Sequence, residues 1–243
     1  MRNARARATL ACTLMVTLAA CQGSQSTLDP GGPAAQAIAS IWWIMLAGAC
    51  AVFLLVMGLL AIAMSARHRP ALRRPGLLVA AGGLALPIVT LIALLVYGTL
   101  AGREVIALGQ GSDLVVEVSG RQWQWQFTYL DADGLPVATT TGVLVLPLDA
   151  LVEFRIGSED VIHSFWIPRL GGKMDAVPGR VNTLRLRASE PGAFRGQCAE
   201  FCGLSHAQMG FDVDVRPEPG FNAWLQRQPQ PQGAATTPGG ATP

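Results

Sequence analysis

Charge is the scarcest property of this 243-residue sequence: Asp, Glu, Lys and Arg together make up 14% of it, against about 25% in soluble globular domains. With 51% hydrophobic residues and a mean hydropathy of +0.37, that scarcity excludes a wholly soluble protein. Carboxylates are almost missing from the first hundred residues, where Asp29 stands alone beside seven arginines. Residues 103 to 243 instead carry 15 acidic and 11 basic groups, a net of −4. That balance excludes nucleic acid as a partner, because phosphate binding needs a basic surface. The single lysine, Lys173, leaves no polybasic segment for anionic lipid headgroups in this half. No C-x-x-C-H occurs, so no c-type haem is attached, and there is no internal repeat.

The N-terminus reads as an address. Arg2, Arg5 and Arg7 precede the apolar run Ala8 to Ala20, which is too short to span a bilayer and has the length of a signal-peptide core. Residues 1–20 are therefore expected to be removed. The run ends in Leu18-Ala19-Ala20-Cys21, which resembles the lipobox of bacterial lipoproteins and implies cleavage before Cys21 with a diacylglycerol on its thiol. The alternative is an ordinary signal or an uncleaved anchor in which the Cys is incidental.

Two long apolar runs follow the segment 21–38. Residues 41–64 are long enough for a membrane span, with Trp42 and Trp43 as interfacial anchors at one end. The run 77–101 holds Gly82, Gly83 and Pro87, which lipid-embedded helices tolerate, and it predicts a second span kinked near Pro87. Between them Arg67, His68, Arg69, Arg73 and Arg74 make a short basic connection. The positive-inside rule puts that connection in the cytoplasm and both termini outside, in the periplasm of a bacterial inner membrane. The domain unit 39–102 is thus a transmembrane helix hairpin in the lipid bilayer.

From 103 to about 227 the pattern changes to short β-branched runs, at 114–118, 142–148, 151–156, 181–186 and 211–215, punctuated by Gly, Pro and Asp. This spacing predicts an antiparallel sandwich or barrel. The tail 228–243, rich in Pro, Gly, Gln and Ala, cannot bury a core and is expected to be disordered.

Of five cysteines, Cys12 falls in the signal, Cys21 in the lipobox and Cys50 in the first span, leaving Cys198 and Cys202 in the exported domain. They begin a series Cys198, Cys202, His206, Met209 at separations of four, four and three, all metal-ligand types. One helix face would also produce that spacing, but Pro191, Gly192, Gly196, Gly203 and Gly210 oppose a helix. A disulfide is the default for two periplasmic cysteines. Structural zinc would use both thiols and two imidazoles and leave Met209 without a role. Thiolates and a thioether beside imidazole favour copper. With His68 cytoplasmic and only three histidines in the chain, the second imidazole falls to His163.

The segments VIHSFWIPRLGGKMDAVPGR (161–180), GQCAEFCGLSHAQM (196–209) and RQWQWQF (121–127) resemble those of cytochrome c oxidase subunit II, a CuA-containing family of the haem-copper oxidases. The resemblance implies a membrane-anchored all-β protein: a two-helix hairpin followed by a cupredoxin-like Greek-key sandwich with a dinuclear copper centre. It implies that Cys198 and Cys202 bridge two coppers, that His163 and His206 cap one each, that Met209 is a weak ligand and that Glu200 ligates through its backbone carbonyl. It further implies that the Glu200 side chain reaches a magnesium site shared with subunit I, and that Trp123 receives electrons from cytochrome c. For Trp123 and Trp125 the alternative is a pair of alternating strand aromatics. The implied partners are cytochrome c, subunit I with its haems and oxygen site, and subunit III. An acidic face would steer a basic cytochrome c, with Asp131, Asp133, Glu159 and Asp160 as candidate docking residues.

A functional alternative is a non-catalytic copper- or zinc-binding membrane lipoprotein, which would need neither the Trp123 segment nor Pro178-Gly179-Arg180. Quinol-oxidising relatives lack the copper ligands that this chain has, and nitrous oxide reductases add a large domain for which it has no room. In one respect the sequence departs from the family. Many members carry a Glu near the start of the second helix, at the mouth of a proton path, whereas residues 76 to 102 contain no carboxylate and Ala80 stands about where that Glu would be.

Overall fold

The computed structural model describes residues 22–64, 75–106 and 111–229. The expected signal peptide, Cys21, the basic connection and all but the first two residues of the tail lie outside the described residues.

Helix α1 runs Pro33–Met64, 32 residues or about 48 Å at 1.5 Å per residue, so it exceeds the roughly 30 Å hydrocarbon core and contains the span read from sequence. The second apolar helix is not uniform. An α turn at Pro75–Leu78 leads into a π-helical stretch, Val79–Ala85, and then into α2, Leu86–Ile106. Pro87 has no N–H to close an α turn onto the preceding residues, and the break expected there takes the form of widened turns just before it. Both helices are long and apolar enough to cross a membrane. Ile44, Gly48 and Val52 of α1 and Val89, Ala93 and Tyr97 of α2 line one apolar groove, which makes the pair a hairpin.

The described residues 22–36 and 111–229 belong to a second compact unit. Its strands are β1 (Leu114–Arg121), β2 (Gln124–Leu130), β3 (Pro136–Thr141), β4 (Val143–Pro147), β5 (Leu151–Ser158), β6 (His163–Trp166), β7 (Met174–Ala176), β8 (Asn182–Arg187), β9 (Gly192–Cys198) and β10 (Gly210–Arg216), followed by helix α3 (Glu218–Leu225). Two five-stranded sheets, β3-β2-β1-β5-β8 and β4-β10-β9-β6-β7, pack as a cupredoxin-like sandwich. The sheets are mixed rather than wholly antiparallel: β1 pairs with β5, and β4 with β10, in parallel. The chain leaves the first sheet at β4 and returns beside β1 as β5, and such a crossover brings the strand back in the same direction.

Alternation along the strands turns Val116, Val118, Trp125, Phe127, Tyr129, Phe154 and Ile156 of one sheet toward Leu144, Leu146, Phe165, Phe211 and Val213 of the other. Phe165 and Phe211 stack with centroids 5.2 Å apart. The sheets are also tied by a polar link: the Tyr129 hydroxyl accepts the Val145 N–H (2.8 Å) and donates to the Val145 carbonyl (3.1 Å). Burial holds its phenol protonated far above the ordinary tyrosine range.

The segment ahead of α1 acts as a strap on the sandwich. Strand β6 covers only the last two residues of β9; further along, the strap takes the Arg195 N–H on its Ser24 carbonyl (3.0 Å), and Gln25 Nε2 donates to the Gln197 side-chain Oε1 (3.0 Å). Arg169, stacked 4.3 Å over Phe194, pairs with Asp29 (3.2 Å) and Glu190 (3.0 Å). Its side chain is only 12% exposed, so loss of these charged bonds costs about 2 kcal/mol. Arg169→Ala is therefore expected to lower the melting temperature of the detergent-solubilised chain by roughly 8 °C, readable by circular dichroism.

Candidate metal centre

The site is built where β9 hands over to β10. These strands pair antiparallel from Gln197 and Gly210 downward, and the eleven residues between their ends form a loop rather than a helix, closing with a 3-10 turn at His206–Gln208. Cys198 ends β9, Cys202 lies in the loop, His206 opens the turn and Met209 follows it. The loop is pinned at its base by Cys198 N–H to the Met209 carbonyl (2.9 Å) and on its flank by Ala199 N–H to the Ser164 carbonyl (2.9 Å). The register of β6 on β9 sets Phe165 opposite Cys198, which brings His163 at the start of β6 beside the loop.

Six donors converge there. Cys198 Sγ and Cys202 Sγ stand 3.8 Å apart. Each thiol has its own imidazole: His163 Nδ1 is 3.9 Å from Cys198 Sγ, and His206 Nδ1 is 3.6 Å from Cys202 Sγ. Each also has a weaker neighbour, the Glu200 carbonyl at 3.2 Å from Cys198 Sγ and Met209 Sδ at 3.6 Å from Cys202 Sγ. Two ligands about 2.0–2.3 Å from a shared ion are at most about 4.6 Å apart, and every one of these pairs meets that limit. The donor set therefore fits soft transition-metal ions. Cys198, Cys202 and Met209 are buried and His163 is fully so. Burial first, then the neighbouring Cys198, pushes the Cys202 thiol up to about 12. Both protons must leave when a metal arrives, and binding strengthens as pH rises.

His163 is held from behind. Its Nε2 lies 2.8 Å from Asp160 Oδ1, so Nε2–H donates to the carboxylate and Nδ1 is the ring nitrogen that faces Cys198. Trp125 meets its ring edge to face at 5.9 Å, and a Cβ on Gly120 would come within 3.0 Å of the imidazole, so strand β1 can approach only because that position lacks a side chain. Asp160 itself is partly buried, which alone would raise its pKa. Bonds from Gln122 N–H, His163 and Val161 N–H outweigh that effect and hold it at about 2. Because the folded value lies below the unfolded one of about 3.9, the stabilisation is complete above about pH 4 and is lost as pH falls toward 2. The stability difference between the native chain and Asp160→Ala is expected to shrink over that window in urea titrations. At neutral pH the same substitution is expected to weaken metal affinity by about 10–100-fold, measured by competition with a chelator.

The other residues singled out in the sequence divide clearly. Trp123, 37% exposed, donates Nε1–H to the Cys202 carbonyl at 3.3 Å, and Gln122 donates Nε2–H to the same oxygen at 2.7 Å; the peptide between these two residues is cis. Trp125 is a fully buried core residue. The Glu200 carboxylate faces Lys173, 3.7 Å away. Glu159 and Asp160 adjoin the Gln122–Trp123 turn, since Gln122 N–H donates to Asp160 Oδ2. Asp131 and Asp133 sit past the far end of β2, roughly 20 Å along the strand, where Asp131 Oδ1 accepts the N–H groups of Asp133 and Leu135. Nothing in the sequence marks Gln122, and it offers Asp160 only as a docking acid. Their signals, a Gln before an aromatic pair and an Asp three residues before a His, are too common to be decisive.

Comparison with known proteins matches residues 135–215 to the family model for the periplasmic domain of cytochrome c oxidase subunit II. Over 232 residues the chain is 33% identical to cytochrome c oxidase subunit 2 of Alkalihalophilus pseudofirmus, an alignment covering 88% of the chain and 65% of the relative. It is 36% identical over 130 residues to the probable cytochrome c oxidase subunit 2 of Rickettsia prowazekii, covering 46% of the chain and 42% of that protein. The chain thus spans less than two thirds of these relatives' length. The crystal structure of the periplasmic domain of subunit II from Bradyrhizobium japonicum is 30% identical with a TM-score of 0.44, covering 48% of the chain and 94% of that domain.

Proposed function

Because the chain belongs to the cytochrome c oxidase subunit II family, we propose that it is the subunit of a proton-pumping terminal oxidase that receives electrons from cytochrome c at a dinuclear copper centre and passes them to haem in subunit I. The observation that carries this reading is the division of donors into two matched sets, a thiol with its own imidazole and one weak neighbour each, around a 3.8 Å pair of sulfurs. Cys198 and Cys202 would bridge the ions, His163 and His206 would cap them, and Met209 and the Glu200 carbonyl would complete the set. Copper held by these residues would supply a one-electron carrier.

The protein's own contribution is rigidity and exclusion of water. His163 is fixed by Asp160 and Trp125, the loop is pinned at its base and to β6, and the thiols are buried, so the ligands need to move little when the charge changes. Trp123 is an exposed aromatic whose indole N–H is hydrogen-bonded to a ligand residue, through the Cys202 carbonyl, which suits it to receive the electron. In the same reading Cys21 carries a lipid, α1 and α2 cross the inner membrane, both termini lie in the periplasm, and the Glu200 side chain helps bind magnesium at the subunit I interface.

The copper-loaded full chain tests the proposal: a purple protein whose EPR shows one electron shared by two coppers supports it, while one tightly bound zinc, or a Cys198–Cys202 disulfide that refuses copper, would sink it. Trp123→Phe is expected to leave copper content and spectrum unchanged and to slow electron uptake from reduced cytochrome c roughly tenfold or more, a barrier change of about 1.4 kcal/mol, seen in stopped flow.

A further inference from the structure

Gln122 offers the metal no ligand, yet it touches three parts of the centre. Its backbone N–H donates to Asp160 Oδ2 at 2.8 Å, and the other oxygen of that carboxylate orients His163. Its side-chain Nε2 donates to the Cys202 carbonyl at 2.7 Å. That oxygen also takes the Trp123 indole N–H, at 3.3 Å, near the long end of useful hydrogen bonds. Gln122 therefore makes the shorter of the two bonds that hold the carbonyl in place. Gly203, the next residue, has φ +122, and a Cβ there would lie 3.1 Å from Gln122 Nε2 and 3.3 Å from the Trp123 ring, so nothing separates these groups from the loop.

The side-chain chemistry at position 122 is narrowly defined. A carbonyl acceptor needs a donor, which Met of similar length lacks and which an ionised Glu cannot supply. Asn has the donor but is one methylene short. Without the Gln122 bond, an indole more than a third exposed is left on a single long bond to a carbonyl that has lost its other partner.

We propose that Gln122 is a positioning residue for electron uptake: its side chain locks the Cys202 carbonyl and the Trp123 indole into one hydrogen-bonded unit, while its main chain steadies His163 through Asp160. This rests on the reading of Trp123 as the electron-receiving residue. Its effect falls on coupling and rate rather than on copper affinity, because Gln122 offers no ligand.

The test uses the full chain in detergent, comparing native protein with Gln122→Met, Gln122→Asn and Trp123→Phe. In the metal-free state the Trp123 indole N–H resonance is identified by its absence in Trp123→Phe. In Gln122→Met it is expected to shift and to exchange with D₂O at least about tenfold faster, with a change in melting temperature of no more than a few degrees; Gln122→Asn is expected to fall between. After copper loading, Gln122→Met should keep its full copper content, show altered hyperfine coupling to the Cys202 β-protons, and accept electrons from reduced cytochrome c more slowly at unchanged KM. An indole with native shift and exchange in Gln122→Met would overturn the proposal whatever the rate does, as would a rate loss explained by lost copper or raised KM. Failure of the underlying reading appears separately, as an unchanged rate in Trp123→Phe.

Discussion

Cys202→Ser is expected to abolish the dinuclear centre, leaving a chain that holds one copper or none and shows a single-ion EPR spectrum. Among the described residues no other joins so many parts of the site. Its sulfur lies within 3.8 Å of Cys198 Sγ, His206 Nδ1 and Met209 Sδ, and its carbonyl takes both Gln122 and Trp123. A serine oxygen is smaller and harder, and it binds soft metals poorly. The fold should survive, because the exchange removes no packing partner larger than a sulfur. A buried hydroxyl without a good partner costs about 1–3 kcal/mol. Copper analysis and EPR of the loaded variant, beside a thermal melt, separate the two effects. A variant that still held two coppers with a shared electron would show that Cys202 does not bridge.

The largest stability effect is expected from Trp125→Ala. Trp125 is fully buried and meets His163, Phe165 and Phe211 edge to face with centroids 5.8–6.0 Å apart. Truncation removes the side chain that backs the imidazole and opens a cavity, at about 3–5 kcal/mol or roughly 10–20 °C in melting temperature. Trp125→Phe should behave quite differently. The Trp125 Nε1 is buried without a hydrogen-bond partner among the described residues, and an unsatisfied donor itself costs about 1–3 kcal/mol. Phenylalanine deletes that donor while keeping most of the packing, so its expected cost is about 1 kcal/mol. Urea or thermal unfolding of the two variants checks the contrast. Equal losses would mean that the indole N–H has a partner.

The metal loop was legible in the sequence because its donors lie within twelve residues, Cys198 to Met209, and because thiols, imidazole and thioether together have few other uses. His163 was reached only by elimination among three histidines. The groups that hold the donors were not legible. Gln122 meets Cys202 across 80 positions and Asp160 across 38, and neither distance leaves a local pattern. The four candidate docking acids looked alike in the sequence; the fold sets Glu159 and Asp160 beside Trp123 and sends Asp131 and Asp133 to the opposite end of β2. The β-branched runs mark β1, β4, β5, β8 and β10 and leave out β2, β3 and β9, while β6 and β7 are four and three residues long, too short for a period-two signal.

What the sequence determined by itself follows from local chemistry: two apolar runs that can satisfy their backbone only as helices in lipid, a β-rich second half, and a cluster of soft donors. The tertiary structure decided which strands run parallel, that the strap before α1 closes along β9, that each thiol receives its own imidazole, and that Gln122, Asp160 and Trp125 stand behind the ligands. Hydrophobic periodicity specifies which face of an element is buried. It does not specify the partner, which is settled only when the two sheets close over a common core.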